Sequence, residues 1–335
     1  MSATVDALTA IVGLATRAPS MHNTQPWRFR VVPASDTDLE GAVITVYHDR
    51  SRDLPVADPT GWAARIACGA AGFAVRLGIA AHGHRAHFSV LPDPADPTLA
   101  VRIRVGPRRT TTPEERALYA ALPQRRSNRY PFHDTPAAPG SGETLRAAAH
   151  AEAAWLDVVD DPRRRVAVAD VIQTAQRRLA ADRAYQDELA AWVRAGGGVH
   201  DGVPPQAGGP SPEPYDLLAF RNFGDAPRAF GRDFEPNPLV AVLGTTSDTP
   251  ADQVRAGMAL HRVLLAGTAA GLASSMLSQP IELPDTRVKL CTALGRNGGY
   301  PQMVLRFGYG VRAPATPRRP VAEVLDVVPA DDRGI

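Results

Sequence analysis

The 335-residue sequence contains only two cysteines, Cys68 and Cys291, and a single lysine, Lys289. Two cysteines without a CxxC pair or a clustered His/Cys set argue against a disulfide scaffold and a structural zinc site. No segment approaches the run of about 20 apolar residues that spans a bilayer. The N-terminus also lacks the basic and apolar regions of a signal peptide. We therefore expect a soluble, cytoplasmic protein.

The sequence also lacks a strong charge of either sign, since 37 basic and 35 acidic residues leave a net charge of +2. Near neutrality, with no recognised nucleic-acid-binding module, argues against nucleic acid or a membrane as a partner. The length predicts two domains or one large domain with ample core.

Several common catalytic and nucleotide-binding motifs are missing. The chain has no GxGxxG after a strand, no Walker loop, no GxSxG and no HExxH. A Rossmann dinucleotide site, a P-loop, a hydrolase nucleophile elbow and a zinc-protease helix are each unsupported.

The stretch RAPSMHNTQPWRFRVV at 17–32 joins a helical pattern to a strand pattern. The strand places three apolar side chains on one side: Trp27, Phe29 and Val31. Two prolines, Pro19 and Pro26, bracket a turn with three polar side chains: Ser20, Asn23 and Gln25. One interpretation is an ordinary connector, because proline, serine and asparagine are loop residues. The other is a stiffened turn that presents hydrogen-bonding groups to a planar polar ligand.

The segment TTTPEERALYAALPQRRSNRYPF at 110–132 predicts a helix followed by an extended piece of chain. Thr112 provides an N-cap before acidic residues, and the helix should stop near Pro123. The extended piece carries RRSNR, which comprises Arg125, Arg126, Ser127, Asn128 and Arg129. Alternation predicts that the first arginine, the serine and the last arginine point to one side. Arginine forks match phosphate oxygens, so the pattern is either a phosphate clamp or a solvated basic run.

Two later segments carry further candidate binding groups. GLASSMLSQP at 271–280 follows a long helix, and its small residues would let a flat ligand approach the backbone. The alternative is a helix end capped by glycine. The segment 306–320 contains the end of the last predicted strand and adds three arginines beyond it: Arg312, Arg318 and Arg319. These either complete a phosphate clamp or lie on a solvated tail.

The sequence also indicates an internal duplication. HNTQPWRFRVV at 22–32 aligns with HAEAAWLDVV at 150–159, and GAAGFAVRLGIAAHG at 69–83 aligns with GMALHRVLLAGTAAG at 257–271. Predicted strands at 99–106 and 302–308 follow the two long helices. We therefore predict an α+β fold of two tandem degenerate halves, 1–110 and 111–335, each with a central sheet flanked by helices. The polar turn of the first copy is lost in the second, which suggests that only one copy serves a ligand.

The insertion at about 195–238 is rich in glycine and proline but retains aromatic residues that a pure linker would lack. We predict a lid or arm that docks on an apolar surface.

Taken together, PSMHNTQPW, RRSNRYPF, AGLASSMLSQP, PQMVLRFGYG and PRRPVAEVL resemble the nitroreductase family of FMN flavoproteins. Ordinary members carry RxSxR before PSxxNxQPW and form homodimers with FMN at the subunit interface. Here PSMHNTQPW comes first, as in the long Acg-like branch of that family, in which a fused chain mimics the dimer. The resemblance covers most of the chain and implies one FMN per chain, held between the two halves, with a further homodimer left open.

The resemblance also implies roles for individual residues. Ser20, Asn23 and Gln25 would hydrogen-bond the isoalloxazine or the ribityl chain, while Pro19 and Met21 pack against the ring. Arg125 and Arg129 would hold the phosphate, with Arg126 and Ser127 nearby and Arg318 or Arg319 closing the clamp. The flavin edge would face a stretch of four residues after the long helix: Ser275, Met276, Leu277 and Ser278. No metal is expected, and the flavin itself would carry the chemistry.

Two functions remain open at this point. The first is an oxidoreductase in which FMN takes a hydride from NAD(P)H and passes electrons to a nitroaromatic, quinone or other small acceptor. The second is a storage protein that sequesters FMN beneath its lid with little turnover. Family members often carry an acidic residue or a glycine where this chain has Ser278 and Gln279, so NAD(P)H docking is the step that separates the two.

Overall fold

The computed structural model describes residues 2–194, 198–210, 218–223, 238–296 and 298–328. Eleven α-helices occur within those residues: α1 Ala3–Ala15, α2 Trp62–Ala81, α3 Pro113–Ala121, α4 Ser141–His150, α5 Pro162–Ala181, α6 Arg183–Ala191, α7 Pro205–Gly208, α8 Pro250–Ala269, α9 Gln279–Glu282, α10 Pro284–Ala293 and α11 Val321–Val324. Short 3₁₀ helices lie at Met21–Asn23 and Arg50–Arg52.

Nine strands form two sheets in the described part of the chain: β1 Trp27–Val32, β2 Val43–His48, β3 His84–Val90, β4 Leu99–Arg108, β5 Trp155–Val158, β6 Leu239–Thr245, β7 Ala273–Leu277, β8 Tyr300–Gly308 and β9 Leu325–Val327. The first sheet has the order β3-β4-β2-β1-β9 and the second β5-β6-β8-β7. Helices pack against both sheets, which confirms the predicted α+β class.

Local sequence signals account well for the start of these elements. Alternation in β1 buries Trp27, Phe29 and Val31 and exposes the arginines between them. Helix α3 begins after Thr112, whose hydroxyl accepts from the Glu115 backbone while the Glu115 side chain accepts from the Thr112 backbone. This reciprocal capping satisfies two N–H groups that the first helical turn leaves free.

Helices α2 and α8 cross closely in the middle of the molecule, and glycine makes that approach possible. A Cβ atom on Gly69 would lie 1.9 Å from the Val254 carbonyl oxygen, and one on Gly257 would lie 2.0 Å from the Ile66 carbonyl oxygen. Any side chain at either position would collide with backbone. Two of the three hydrophobic clusters among the described residues, one beside each sheet, share this crossing.

Helix α2 is long and apolar enough by length and composition to cross a membrane, so the expectation that no segment approaches this limit is wrong. However, 89% of its most apolar stretch is buried inside the molecule. The helix is therefore accounted for as a core element. Helix α8, which has the same length, is likewise mostly buried.

The C-terminal strand crosses the predicted domain boundary. Strand β9 pairs in parallel with β1, with Phe29 opposite Leu325 and Val31 opposite Val327. The first sheet thus contains residues from the predicted second half. As a result, the segment that precedes β9 lies alongside the polar turn at 20–25.

Candidate functional site

The turn between α1 and β1 has an unusual backbone. Three residues that are not glycine adopt left-handed conformations: His22 at φ 50°, Asn23 at φ 56° and Gln25 at φ 53°. The Ser20 hydroxyl accepts a hydrogen bond from the Gln25 N–H at 3.0 Å, which closes the turn on itself. Such conformations cost free energy and persist only where the surrounding structure holds them, typically at ligand sites.

The two amide side chains of this turn bind protein groups. The Asn23 side chain donates to the carbonyls of Gly202 and Pro317, at 2.8 and 3.0 Å. The Gln25 side chain donates to the His200 carbonyl and accepts from the Arg319 N–H. These amides therefore fasten the insertion and the C-terminal segment to the turn. Neither residue is among those that line the two cavities described next, and the expectation that both face the ligand stays a prediction.

Among the cavities lined by described residues, two contain most of the predicted site residues. The first, which we call the arginine pocket, has an empty volume of about 340 Å³. Its lining combines four arginines with small residues: Arg17, Arg125, Arg126, Ser127, Pro314, Ala315, Thr316 and Arg318. Among the residues that the structure describes, no carboxylate forms an ion pair with any of these arginines.

Arg125 is the most deeply buried member of the arginine pocket, at 4% exposure. One of its nitrogens donates to the Arg17 carbonyl at 3.1 Å, but Nε and Nη1 are buried without a partner. Burial, with the neighbouring charge of Arg126, lowers its pKa to about 10. A buried cation costs free energy when some of its N–H groups lack partners and its neighbours carry the same charge. An anion bound between these groups would remove that cost.

Adjacent arginines near the C-terminus have different surroundings. Arg318 lines the arginine pocket, where burial and the charge of Arg125 lower its pKa to about 9. Arg319 points away and makes ion pairs with Asp49 and Glu323, at 3.4 and 3.6 Å. The sequence left open which of the two closes the clamp, and the structure places only Arg318 in the pocket.

The second cavity, which we call the inner cavity, has an empty volume of about 500 Å³ and a mostly apolar lining with a few polar groups. Its lining residues are Pro19, Ser20, Met21, His22, Ala63, Ile66, Ala67, Arg129, Arg221, Phe223, Leu260, Met276, Ser278 and Met303. The segments 17–22 and 125–129 each begin in the arginine pocket and end in the inner cavity. The two cavities are therefore neighbours along both segments.

Arg129 lies in the inner cavity and not with Arg125. Its Nη1 donates to the Ala207 carbonyl at 2.8 Å, and its guanidinium carbon lies 4.4 Å from the centre of the Phe223 ring. Burial and the nearby charge of Arg221 lower its pKa to about 10. The expectation that both outer arginines of RRSNR face one phosphate does not match this placement, because the segment is not a regular strand: it makes one isolated bridge, from Ser127 to Ser274.

The predicted stretch after α8 divides in the same way. Met276 and Ser278 line the inner cavity. Ser275 instead accepts a hydrogen bond from Arg306 at 3.1 Å, and Leu277 is fully buried in the core. Gly271 has φ 78° at the end of α8, so its first role is that of a helix cap.

The described parts of the insertion, 198–210 and 218–223, dock beside the inner cavity. Arg221 forms a buried ion pair with Glu282, donates to the Tyr185 hydroxyl at 2.6 Å and donates to the Ser278 hydroxyl at 3.0 Å. Phe223 is 3% exposed and lines the cavity. The remaining aromatic residues of the predicted lid, apart from Phe220, lie outside the described residues.

Sequence reasoning missed three polar residues of the site: Arg17, His22 and Arg221. Arg17 lies two residues before the motif PSMHNTQPW and His22 lies within it, so their place in the sequence was the available signal. Arg221 lies in an insertion with no motif of its own. Its contact with Glu282 joins residues 61 positions apart, and no local pattern announces such a contact.

Comparison with known proteins identifies the family. No family model matches the chain. An uncharacterized protein of Mycobacterium tuberculosis is 35% identical over 344 residues, which cover 96% of this chain and 93% of the relative. A second M. tuberculosis protein, "Putative NAD(P)H nitroreductase acg", is 32% identical over 340 residues, 98% of each chain. The chain therefore belongs to the nitroreductase family and has the character of an oxidoreductase. Within that family it belongs to the Acg-like branch.

Solved structures give weaker likenesses. The FMN and NADPH-dependent nitroreductase NfnB from Sphigopyxis sp. strain HMH matches 62% of this chain and 97% of its own, at 17% identity and a TM-score of 0.40. A nitroreductase with bound FMN from Desulfitobacterium hafniense DCB-2 matches 63% and 98%, at 14% identity and a TM-score of 0.41. At these scores the family assignment rests on the curated relatives.

Proposed function

We propose that the chain binds one FMN, with the phosphate in the arginine pocket and the isoalloxazine ring in the inner cavity. The observation that supports this most directly is the pair of buried, unpartnered donors on Arg125 beside Ser127 and Arg318. A phosphate carries the oxygens and the charge that these groups require. The adjoining cavity supplies apolar walls for a planar ring, with Ser20, Arg129 and Ser278 as polar groups at its edge.

We further propose that the protein is an FMN-dependent oxidoreductase that uses NAD(P)H and a small acceptor such as a nitroaromatic or a quinone. Bound FMN would supply hydride acceptance and electron donation. The chain would bind the phosphate, orient the ring and exclude water through Phe223 and Arg221. Arg129 would place positive charge beside the ring, and this charge would stabilise negative charge on the ring.

The enzyme proposal is tested by mixing the flavin-loaded protein anaerobically with NADH or NADPH. Loss of the visible flavin absorbance within seconds supports turnover. Absence of bleaching with both nucleotides, in a sample that dithionite does bleach, would contradict it and leave the storage role as the explanation.

We also propose that the two sheets descend from one duplicated unit. Strands β2 and β4 pair with Val43 opposite Arg104, and β6 and β8 pair with Val240 opposite Arg306. Counted from these pairs, each pairing has four successive pairs before an irregularity, and β6 and β8 have one further pair, Leu239 with Phe307, ahead of them. The orders β3-β4-β2-β1 and β7-β8-β6-β5 are likewise the same. A shared register irregularity supports common descent, because bulges are retained within families.

The central helices support the same proposal. Helices α2 and α8 both have 20 residues, and a separation of 188 positions relates their ends, their following glycines and the pair Arg65 and Gln253. Arg65 donates to its own counterpart Gln253 at 2.7 Å. Likewise, Gly69 approaches Val254 as its counterpart Gly257 approaches Ile66. Reciprocal contacts of this kind are the signature of a two-fold interface.

The second copy of the turn offers no matching site. Ala153 adopts φ 58°, close to the φ 53° of Gln25, but His150 and Ala151, which align with His22 and Asn23, have right-handed conformations. The second copy therefore retains one of the three left-handed positions and none of the amides. Glu152 accepts from Arg76 and Arg262, at 2.7 and 3.1 Å, and this ion-pair cluster occupies the space between the second turn and the central helices. We therefore propose one FMN per chain.

A further inference from the structure

His22 is a buried polar residue to which the proposed function has so far assigned no role. Its side chain lines the inner cavity and the residue is 3% exposed, yet neither ring nitrogen has a hydrogen-bond partner. Buried polar groups without partners are rare in native structures, because each one loses its hydrogen bonds to water. A buried imidazole without hydrogen-bond partners therefore indicates that a bound ligand supplies them.

The backbone of His22 has a conformation that costs free energy. Its φ of 50° is uncommon for any residue except glycine, and its neighbour Asn23 shares the same conformation. The amide of Asn23 ties this part of the turn to Gly202 and Pro317. The strain is thus held by two other segments of the chain, as is typical of residues that contact ligands.

The charged groups around His22 decide its protonation. Arg221 and Arg129 face it, and Glu282 balances the charge of Arg221. Burial first, and then the two guanidinium groups, hold the pKa of His22 well below its usual range. The imidazole is consequently neutral at physiological pH and offers one N–H donor and one lone pair. The edge of the Phe223 ring, 5.8 Å away between centroids, limits how the imidazole can turn.

We propose that His22 is a positioning residue for the ring of the bound cofactor. Its neutral imidazole hydrogen-bonds the polar edge of the isoalloxazine and fixes the orientation of the ring in the inner cavity. This inference rests on the proposed FMN site and adds a residue to it. A heterocycle that carries both donors and acceptors in its plane suits an imidazole that offers one of each. The phosphate end, in the arginine pocket, is independent of this contact.

The test compares two variants with the wild-type protein, each stripped of flavin. His22→Phe keeps an aromatic ring against Phe223 and removes both nitrogens. His22→Asn keeps an in-plane donor and acceptor and tolerates the left-handed backbone. His150→Phe is the matched control, because His150 is the aligned residue of the second copy and is exposed. Affinity for FMN is measured by quenching of flavin fluorescence, and affinity for inorganic phosphate by calorimetry.

We expect His22→Phe to weaken FMN binding by about 5- to 20-fold, the range for one lost hydrogen bond with its partner left buried. Phosphate binding should be unchanged, His22→Asn should recover most of the FMN affinity, and the midpoint potential of bound flavin should shift only in the phenylalanine variant. Equal FMN affinity in wild-type protein and His22→Phe would overturn the inference and leave the proposed function intact. Parallel loss of FMN and phosphate binding would also overturn it, by showing a general structural role.

If His22→Phe does not fold, His22→Ala provides the same comparison. A wild-type protein that binds phosphate but not FMN would contradict the proposed function itself, before any variant is considered.

Discussion

At the scale of single residues, the site depends on which arginines have carboxylate partners. Arg319 is matched by Asp49 and Glu323, so its charge is satisfied within the protein. Arg125 has no such partner among the described residues, and two of its nitrogens are buried and unspent. Adjacent or similar arginines in one sequence can therefore serve stability in one case and ligand binding in the other.

Replacing Arg125 with alanine should remove a charged hydrogen bond to the FMN phosphate. Such a bond contributes about 1.5–3 kcal/mol, so the affinity for FMN should fall by about 10- to 100-fold. The protein should not lose stability, because the buried charge of the flavin-free site is removed with the side chain. Fluorescence titration of FMN measures the first effect, and thermal unfolding of the flavin-free protein the second.

The matched control for this prediction is Arg178→Ala. Arg178 pairs with Asp285 on an exposed surface, where such pairs contribute little. FMN affinity should match that of the wild-type protein. Unchanged flavin retention in Arg125→Ala would indicate that the phosphate binds in another part of the molecule.

Local chemistry in the sequence selected several residues that the structure brings to the cavities. Ser20, Met21, Arg125, Ser127, Met276 and Ser278 all line one of the two cavities. Asn23 and Gln25 were selected in the same way, and their amides bind carbonyls at 198–210 and in the C-terminal segment. An amide side chain can bind either a ligand or a backbone carbonyl. The neighbouring residues do not show which of the two it binds, because the partner comes from a distant part of the sequence.

At the scale of elements, the first turn of α2 both lines the inner cavity and donates hydrogen bonds to a buried carboxylate, Asp58. The Asp58 carboxylate accepts from the Ala64 N–H at 3.0 Å, and Ala63 lines the inner cavity. Burial raises the pKa of Asp58 to about 6, even though backbone N–H groups of the helix start oppose that shift. The folded protein therefore binds this proton more tightly than the unfolded chain does.

The free energy of unfolding should therefore fall as pH rises from about 4 to about 6. In that range the unfolded carboxyl has lost its proton and the folded one has not. Above pH 6 a constant penalty remains, on the order of 2–3 kcal/mol for a shift of about two pKa units. Asp58→Asn keeps an acceptor for Ala64 and cannot ionise. Urea unfolding at pH 4 to 7 should therefore show the variant gaining stability over the wild-type protein across this range, whereas parallel profiles would contradict the role of Asp58.

The insertion provides the second prediction at this scale. Phe223 lines the inner cavity and packs on Arg129, and Phe220 lies 4.5 Å from the guanidinium carbon of Arg306. If these contacts cover the flavin, Phe223→Ala should leave the fold intact and increase the rate of flavin reduction by dithionite. Stopped-flow absorbance measures this rate.

Phe88→Ala is the control for the lid prediction, since Phe88 is 42% exposed on β3, outside the cavity lining. Its reduction rate should equal that of the wild-type protein. Equal rates in all three proteins would argue against a lid.

Element boundaries also show what the sequence could and could not predict. The long helices at 69–83 and 257–271 and the strands at 99–106 and 302–308 are confirmed as parts of α2, α8, β4 and β8. Their apolar periodicity and glycine ends are local signals. The pairing of β9 with β1 was not predicted, because a three-residue strand has little pattern and its partner lies almost 300 residues away.

At the scale of the whole molecule, the described residues form two sheets of matching strand order around the crossing of α2 and α8. The turn at 17–22 and the RRSNR segment both line the arginine pocket and the inner cavity. Beside the turn at 150–155, Glu152 forms ion pairs with Arg76 and Arg262. This asymmetry between the two turns is the reason for the proposal that one chain holds one FMN.

The ratio of FMN to protein tests the central claim most directly. The flavin-free chain is reconstituted with excess FMN, freed of unbound flavin and separated by size. The visible absorbance of the bound flavin, chromatography of the heat-released flavin and the protein concentration then give its identity and ratio. We predict FMN at a ratio near one per chain, retained when the sample is diluted to monomer. A ratio near two, the absence of retained FMN, or its loss on dilution would contradict the assignment of one self-contained FMN site.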